Sequence, residues 1–210
     1  MTYPSANESP QAVALPRQLA EEIIAHAREG LPEEICGVIR GRGLTAYEVV
    51  RGVNVADERT QNYTVDPQTL LLQFEFEDAG DEMMGIYHSH PDSEAYPSAT
   101  DAWNAYYPDA VYFICSLEDR AAPAIRAFRL TTTFLDERQH ILMDELVYDE
   151  ARPGLFACYV PDRPSMSTVP RVAELGVEPP FYILYNKMPD GASDPDLRSV
   201  SIVEHPVKSR

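Results

Sequence analysis

Apolar residues recur at the helical period of about 3.6 residues near the start of the chain. Residues 16–30 carry them at the i, i+4, i+5 and i+8 spacing of an amphipathic helix, which Gly30 and Pro32 end. The apolar positions of this helix are Leu19, Ile23, Ile24 and Ala27. A second helix is expected over residues 66–78 and a third over residues 98–107, since each begins at a capping residue.

Short apolar runs between these helices predict strands. The runs are residues 35–39, 46–50, 84–87, 110–117 and 124–130. The run at 110–117 is apolar throughout and is expected to lie centrally in the sheet, with 124–130 as its antiparallel neighbour. The pattern therefore predicts an α/β (α+β) fold with a mixed central sheet flanked by helices.

Composition divides the chain into three parts. Residues 1–14 are polar and contain proline, so we expect a disordered N-terminal arm, followed by one domain over residues 15–149. From residue 150 prolines interrupt short aromatic-rich runs about every ten residues, which predicts an irregular C-terminal extension over residues 150–210. The extension could contact the core or a partner, or it could be a surface wrap that adds only stability.

Charge and cysteine usage limit the possible functions. The net charge of -17, from 34 acidic and 17 basic side chains, argues against nucleic acid as a partner, because such a surface repels phosphates. The three cysteines are an odd number, and Cys36 and Cys115 lie in apolar runs typical of buried free thiols.

No run of apolar residues approaches the length of a membrane span, and no leader is apparent, so we expect a cytoplasmic protein.

The candidate chemistry lies in the segment His88-Ser89-His90-Pro91. On an extended strand His88 and His90 point to the same side and Ser89 to the other, so two imidazoles converge on one point. Asp101 could be a third ligand, because Ser98-Ala99-Thr100-Asp101 has the pattern of a helix start, and a loop of about ten residues can return it to the strand end. Two histidines and a carboxylate match a catalytic zinc site with an open fourth position.

Each of these features alone has a simpler interpretation. His-x-His pairs arise often by chance, Ser98 can be only an N-cap, and Asp101 can be the acidic member of a capping box. Their conjunction is more specific, since five residues are fixed at set spacings within fourteen positions, 88–101.

This pattern resembles the JAMM motif of the Mov34/MPN/PAD-1 metallopeptidases, and the similarity extends over about residues 14–148. The family also has an upstream glutamate, and Leu31-Pro32-Glu33-Glu34-Ile35-Cys36-Gly37 is similar to that segment. The resemblance implies a cytidine-deaminase-like MPN fold. It also implies one zinc ion per chain, held by His88, His90 and Asp101.

The same resemblance implies the catalytic roles. Glu34 would be the general base, with Glu33 as the adjacent alternative, and Ser98 would donate a hydrogen bond to the oxyanion. The implied substrates are peptide or isopeptide bonds at the C-terminus of ubiquitin-like proteins. The stretch from Ile86 to Asp101 resembles prokaryotic members of the CysO-cysteine peptidase type, which implies release of cysteine, or of a C-terminal tail, from a sulfur-carrier protein.

Two other classes of function remain as alternatives. A non-catalytic MPN scaffold would use the same fold for assembly, but such members usually lack some of the ligands. A DNA-repair relative of the RadC type shares the His-x-His-Pro element, and the acidic balance argues against it. The sequence leaves the oligomeric state open.

Overall fold

The computed structural model describes residues 10–135, 147–161, 175–187 and 196–209. In chain order the elements are β1 Val13–Ala14, α1 Arg17–Gly30, β2 Cys36–Arg42, β3 Thr45–Arg51, α2 Pro67–Asp78, β4 Glu82–His90, α3 Ala99–Trp103, β5 Val111–Ser116, β6 Ala124–Phe134, β7 Asp149–Arg152, β8 Leu155–Val160, β9 Phe181–Asn186, β10 Asp196–His205 and β11 Val207–Lys208. The chain forms two compact units. As far as they are described, the first comprises residues 1–96, 109–128 and 204–210, and the second comprises residues 97–108 and 129–203.

The first unit contains a mixed sheet with strand order β11-β1-β3-β2-β4-β5-β6. β4 and β5 run parallel, β1 is parallel to both of its neighbours, and the β2–β3, β2–β4 and β5–β6 pairs are antiparallel. The predicted mixed central sheet is therefore confirmed, as is the central position of the 110–117 run.

Helix α1 packs its apolar stripe on this sheet. Leu19, Ile23 and Ala27 join a buried cluster that includes Tyr87 and Phe113. These three helix positions follow the i, i+4, i+8 spacing expected from the sequence. The strands that carry the candidate site are thus covered on one face by a close-packed core.

Helix α2 begins as predicted. Asp66 is its N-cap and accepts a hydrogen bond from the Thr69 N–H at 3.0 Å, and Pro67 occupies the first turn. Among its apolar residues Phe76 is buried, whereas Leu71 and Phe74 are more than half exposed. Across the described residues, no helix combines the length and the hydropathy that a membrane span needs.

The second unit corrects the expectation of an irregular extension. Its strands follow the order β6-β10-β9-β8-β7, with antiparallel β10–β9, β9–β8 and β8–β7 pairs. Its buried cluster contains Leu135, Val160, Phe181, Ile183 and Leu197. The described prolines that suggested irregular structure lie between strands rather than within them, so they delimit the strands without removing ladder hydrogen bonds.

Two further predictions differ from the structure. Helix α3 ends at Trp103 rather than near Tyr107, and its C-cap is Asn104, whose short polar side chain competes for backbone hydrogen bonds and disfavours helix continuation. In the predicted N-terminal arm, Val13 is fully buried and forms strand β1 with Ala14. Residues 1–9 of the arm lie outside the described residues.

Candidate metal centre

His88 and His90 lie at the C-terminal end of β4, and both are buried. Their Nε2 atoms are 3.1 Å apart, as expected for residues two apart on a strand, which share a face. Ser89 points the other way, and its hydroxyl oxygen accepts a hydrogen bond from the Ile35 N–H at 3.0 Å. The predicted convergence of the two imidazoles is therefore present.

A backbone carbonyl orients the His90 ring. His90 Nδ1 lies 2.8 Å from the carbonyl oxygen of Glu94, which can only accept a hydrogen bond. Nδ1 therefore carries the proton, and in the neutral ring Nε2 presents its lone pair towards His88. A second group that fixes the tautomer in this way is a common feature of metal-binding histidines.

The His88 ring stacks on Tyr63. The ring centroids are 4.1 Å apart with an interplanar angle of 16°, and Tyr63 is itself buried. Tyr63 belongs to the loop between β3 and α2. This stacking restricts rotation of the His88 ring and so fixes the direction in which Nε2 points.

Glu34 lies just before β2, next to the histidine-bearing strand. Cys36 is the register partner of His88, and the Ser89 N–H donates to the Ile35 carbonyl at 3.0 Å. If this register is extended by two residues beyond the start of β2, Glu34 falls opposite His90 and on the face that His88 occupies. The register therefore places Glu34 beside the strand end that carries the two imidazoles.

The adjacent glutamates differ sharply in environment. Glu34 is 7% exposed, its N–H donates to the Arg59 carbonyl at 2.7 Å, and its carbonyl accepts from Asn54 Nδ2 at 2.8 Å. The Glu33 side chain is 50% exposed, and its carboxylate lies 3.8 Å from the Arg59 guanidinium. Burial and register favour Glu34 as the residue that faces the site.

Ser98 and Asp101 form a capping box at the start of α3. The Ser98 hydroxyl donates to Asp101 Oδ2 at 2.7 Å, the Ser98 N–H donates to the same oxygen at 2.8 Å, and the Asp101 N–H donates to Ser98 Oγ at 3.1 Å. Asp101 is 4% exposed. The structural roles foreseen for both residues are therefore real, and they fix the orientation of the Asp101 carboxylate.

Ligand atoms from His88, His90 and Asp101 all lie within 4.8 Å of one another. Two imidazole nitrogens and one carboxylate oxygen are ligands that zinc accepts, and three protein ligands leave one position open. Two nitrogens bound to one tetrahedral zinc at about 2.0–2.1 Å would be separated by about 3.3 Å, close to the observed Nε2–Nε2 distance. The donor set therefore fits a catalytic zinc ion.

A cavity of about 230 Å³ lies beside Glu34 in the first unit. Its lining includes Glu33, Glu34, Asn54, Arg59 and His26. Burial, reinforced by the positive charge of Arg51, lowers the pKa of His26 to about 4, and His26 Nδ1 lies 2.9 Å from the Tyr87 hydroxyl oxygen. His26 is therefore neutral near pH 7. It contacts Tyr87 of β4 and is not one of the three convergent ligands.

Some contributors to this centre give little signal in the sequence. The Glu94 carbonyl is a backbone group, and only the loop geometry brings it to His90. The stacking of Tyr63 on His88 depends on the course of the loop before α2, which no local sequence pattern specifies. Cys36 and Cys115 are buried free thiols as expected, and burial raises the pKa of each to about 12, which leaves them as unreactive packing residues.

Comparison with known proteins places these features in a family. The family described as prokaryotic homologs of the JAB domain matches residues 16–131, more than half of the chain. A desampylase of Haloferax volcanii is 42% identical over 117 residues, which are 51% of this chain and 83% of that protein. A CysO-cysteine peptidase of Mycobacterium bovis is 36% identical over 114 residues, 53% of this chain and 78% of that protein.

A solved structure gives the same result for the fold. The solution structure of a Desulfitobacterium hafniense protein is 33% identical, covers 56% of this chain and 83% of its own, and aligns with a TM-score of 0.51. The resemblance inferred from the His-x-His-Pro and Ser-x-x-Asp pattern is confirmed by the family match. This chain belongs to the family of prokaryotic homologs of the JAB domain.

Proposed function

We propose that the chain is a zinc-dependent peptidase that cleaves a peptide or isopeptide bond at the C-terminus of a ubiquitin-like or sulfur-carrier protein. The observation that carries the proposal is the convergence of three buried ligand atoms, from His88, His90 and Asp101, within 4.8 Å. These three residues are the proposed metal ligands. The proposed stoichiometry is one zinc ion per chain.

A zinc ion bound there would supply a water molecule with a pKa near 7 and would polarise the scissile carbonyl. Glu34 is the proposed general base, whose carboxylate would accept a proton from the attacking water and return it to the leaving amine. Its burial beside the histidine strand supports this role, and acid–base help of this kind contributes about 10²–10⁴-fold.

Ser98 is the proposed donor to the oxyanion that develops on the substrate carbonyl. Its hydroxyl donates to Asp101 Oδ2 at 2.7 Å, so this role requires the hydroxyl hydrogen to turn from Asp101 to the substrate by rotation about the Cβ–Oγ bond. The Ser98 N–H keeps its bond to Asp101 during that rotation. The capping box, which consists of the bonds from the backbone N–H groups of Ser98 and Asp101, therefore remains while the hydroxyl changes partner.

The names of the relatives support the class of substrate. A desampylase and a CysO-cysteine peptidase both match over most of their own lengths. We therefore propose a protein substrate with a flexible C-terminal tail, joined to a cysteine, a short peptide or a lysine side chain. The net charge of -17 favours a protein over a nucleic acid as the partner.

The test is incubation of the full chain with ubiquitin-like sulfur carriers that bear different C-terminal adducts. Intact-mass measurement should show loss of one adduct, inhibition by a chelator, and recovery when zinc is added back. The Glu34→Gln variant is the matched negative control. Absence of cleavage of every carrier by a zinc-loaded chain would contradict the proposal and favour a non-catalytic scaffold.

A further inference from the structure

We propose that the C-terminal extension positions Ser98 and Asp101 through two side chains, Tyr182 and Arg198. This inference rests on the proposed function, because it assigns the two residues a role in holding a metal ligand. The family match ends at residue 131, so both residues lie outside it. Tyr182 nevertheless contacts Pro97, just before the short helix that carries Asp101, and Arg198 contacts Trp103, the last residue of that helix.

The helix needs outside support because it is very short. α3 has only five residues, far below the length of about 12–15 residues at which an isolated helix becomes even marginally stable in water. The capping box ties Ser98 to Asp101, and both residues belong to the same helix start. The box therefore orders the helix internally and leaves its placement to other contacts.

Tyr182 holds the N-terminal side of the helix. Its hydroxyl donates to the carbonyl oxygen of Pro97, the residue before the N-cap, at 3.1 Å. Tyr182 lies in the middle strand β9, where it pairs with Tyr159 of β8 and Val200 of β10. The Tyr159 and Tyr182 ring centroids are 5.0 Å apart, so the phenol is supported on its own sheet.

Arg198 holds the C-terminal side of the helix. Its guanidinium carbon lies 3.7 Å from the ring centroid of Trp103, the last residue of α3, and both side chains are buried. An ion pair with Asp196, two residues earlier on β10, fixes the guanidinium. Stacking of a planar cation on a tryptophan is strong when the pair is desolvated, and lysine does not reproduce its geometry.

The two contacts enclose the metal ligand. Pro97 lies four residues before Asp101 and Trp103 lies two residues after it, so both ends of the ligand-bearing turn are tied to β9 and β10. A small displacement of this turn would move the Asp101 carboxylate. Residues that orient metal ligands typically change metal affinity by about 10–100-fold when they are removed.

The test compares Tyr182→Phe and Arg198→Lys with the wild-type chain. Zinc affinity is measured by competition with a chromophoric chelator, and amide exchange of residues 99–103 is measured without metal. Each variant should weaken zinc binding by at least about tenfold and speed exchange in α3, as expected for lost support of a ligand. Turnover should fall in kcat with KM unchanged.

Tyr185→Phe is the matched control. It removes a hydroxyl from the same strand, but Tyr185 packs against the opposite face, in the cluster of Phe181 and Ile183. This variant should bind zinc like wild type. If Arg198→Lys fails to fold, Tyr182→Phe carries the test, since it removes a single oxygen atom.

The outcomes separate this inference from the proposed function. If the wild-type chain binds no zinc, the proposed function is overturned. The amide exchange of residues 99–103, which is measured without metal, still shows in that case whether Tyr182 and Arg198 hold the helix. Zinc affinity and α3 exchange that match wild type in both variants overturn the inference. The inference is also overturned if Tyr185→Phe loses as much zinc affinity as Tyr182→Phe and Arg198→Lys, because the effect would then be general destabilisation.

Discussion

Cys36 lies directly opposite His88 in the antiparallel β2–β4 pair. This register sets the segment before Cys36 beside the end of β4, where both histidines project. A shift by one residue would turn either set of side chains to the other face of the sheet. The relationship between Glu34 and the histidines therefore depends on strand pairing as well as on the local motif.

Replacement of Glu34 by glutamine should sharply reduce turnover and preserve metal binding. The amide keeps the shape of the side chain but cannot accept a proton, so kcat should fall by about 10²–10⁴-fold. Steady-state kinetics and metal analysis on the same sample measure the two effects. Glu33→Gln is the matched control, and its half-exposed side chain should be dispensable. Loss of activity in Glu33→Gln alone would reassign the base to Glu33.

Replacement of Ser98 by alanine should affect both stability and rate. Loss of the N-cap should lower the free energy of unfolding by about 1 kcal/mol. Loss of the proposed oxyanion donor should lower kcat by about 10²-fold or more. Chemical denaturation and kinetics measure the two effects separately, and Ser98→Thr, which keeps a hydroxyl, should retain most of both. If the alanine variant loses stability but keeps its rate, Ser98 acts only as a cap.

The buried position of His26 predicts a loss of stability in acid. Its pKa falls from the ordinary value of 6.5 to about 4 in the folded chain, so between these values the unfolded chain binds more protons. The free energy of unfolding should therefore decrease as the pH falls from about 6.5 to about 4. The effect is at most about 3 kcal/mol, since one pKa unit corresponds to about 1.4 kcal/mol.

Denaturation curves at several pH values test this prediction, with His26→Gln as the comparison. The variant lacks the titrating imidazole, so its stability should fall less steeply over this interval. Parallel pH dependence in the two proteins would show that His26 does not contribute.

The histidine pair could be predicted because its geometry is local. Residues two apart on a strand share a face whatever the rest of the fold does, and the alternation across His88, Ser89 and His90 follows directly. The capping box at Ser98 and Asp101 is equally local. The bounds of β5 and α1 followed closely from apolar runs with clear ends, whereas β4 extends beyond its apolar run 84–87 to Glu82–His90.

The contacts that Tyr182 and Arg198 make beside the site could not be predicted in the same way. Tyr182 reaches Pro97, 85 residues earlier, and no local pattern encodes a contact at that separation. The strands β7–β10 have four to ten residues and are separated by proline-containing segments, which obscure alternation in the sequence. Their order depends on long-range pairing, as does the stacking of Arg198 on Trp103.

The most direct measurement is the metal content of the purified chain and of its Asp101→Asn variant, by elemental mass spectrometry. Asparagine can still accept the capping hydrogen bond from the Ser98 N–H, so the helix should remain while a charged ligand is lost. We expect about one zinc ion per wild-type chain and little in the variant. Equal metal content in the two proteins, or none in wild type after zinc is supplied, would contradict the assignment of His88, His90 and Asp101 as a metal centre.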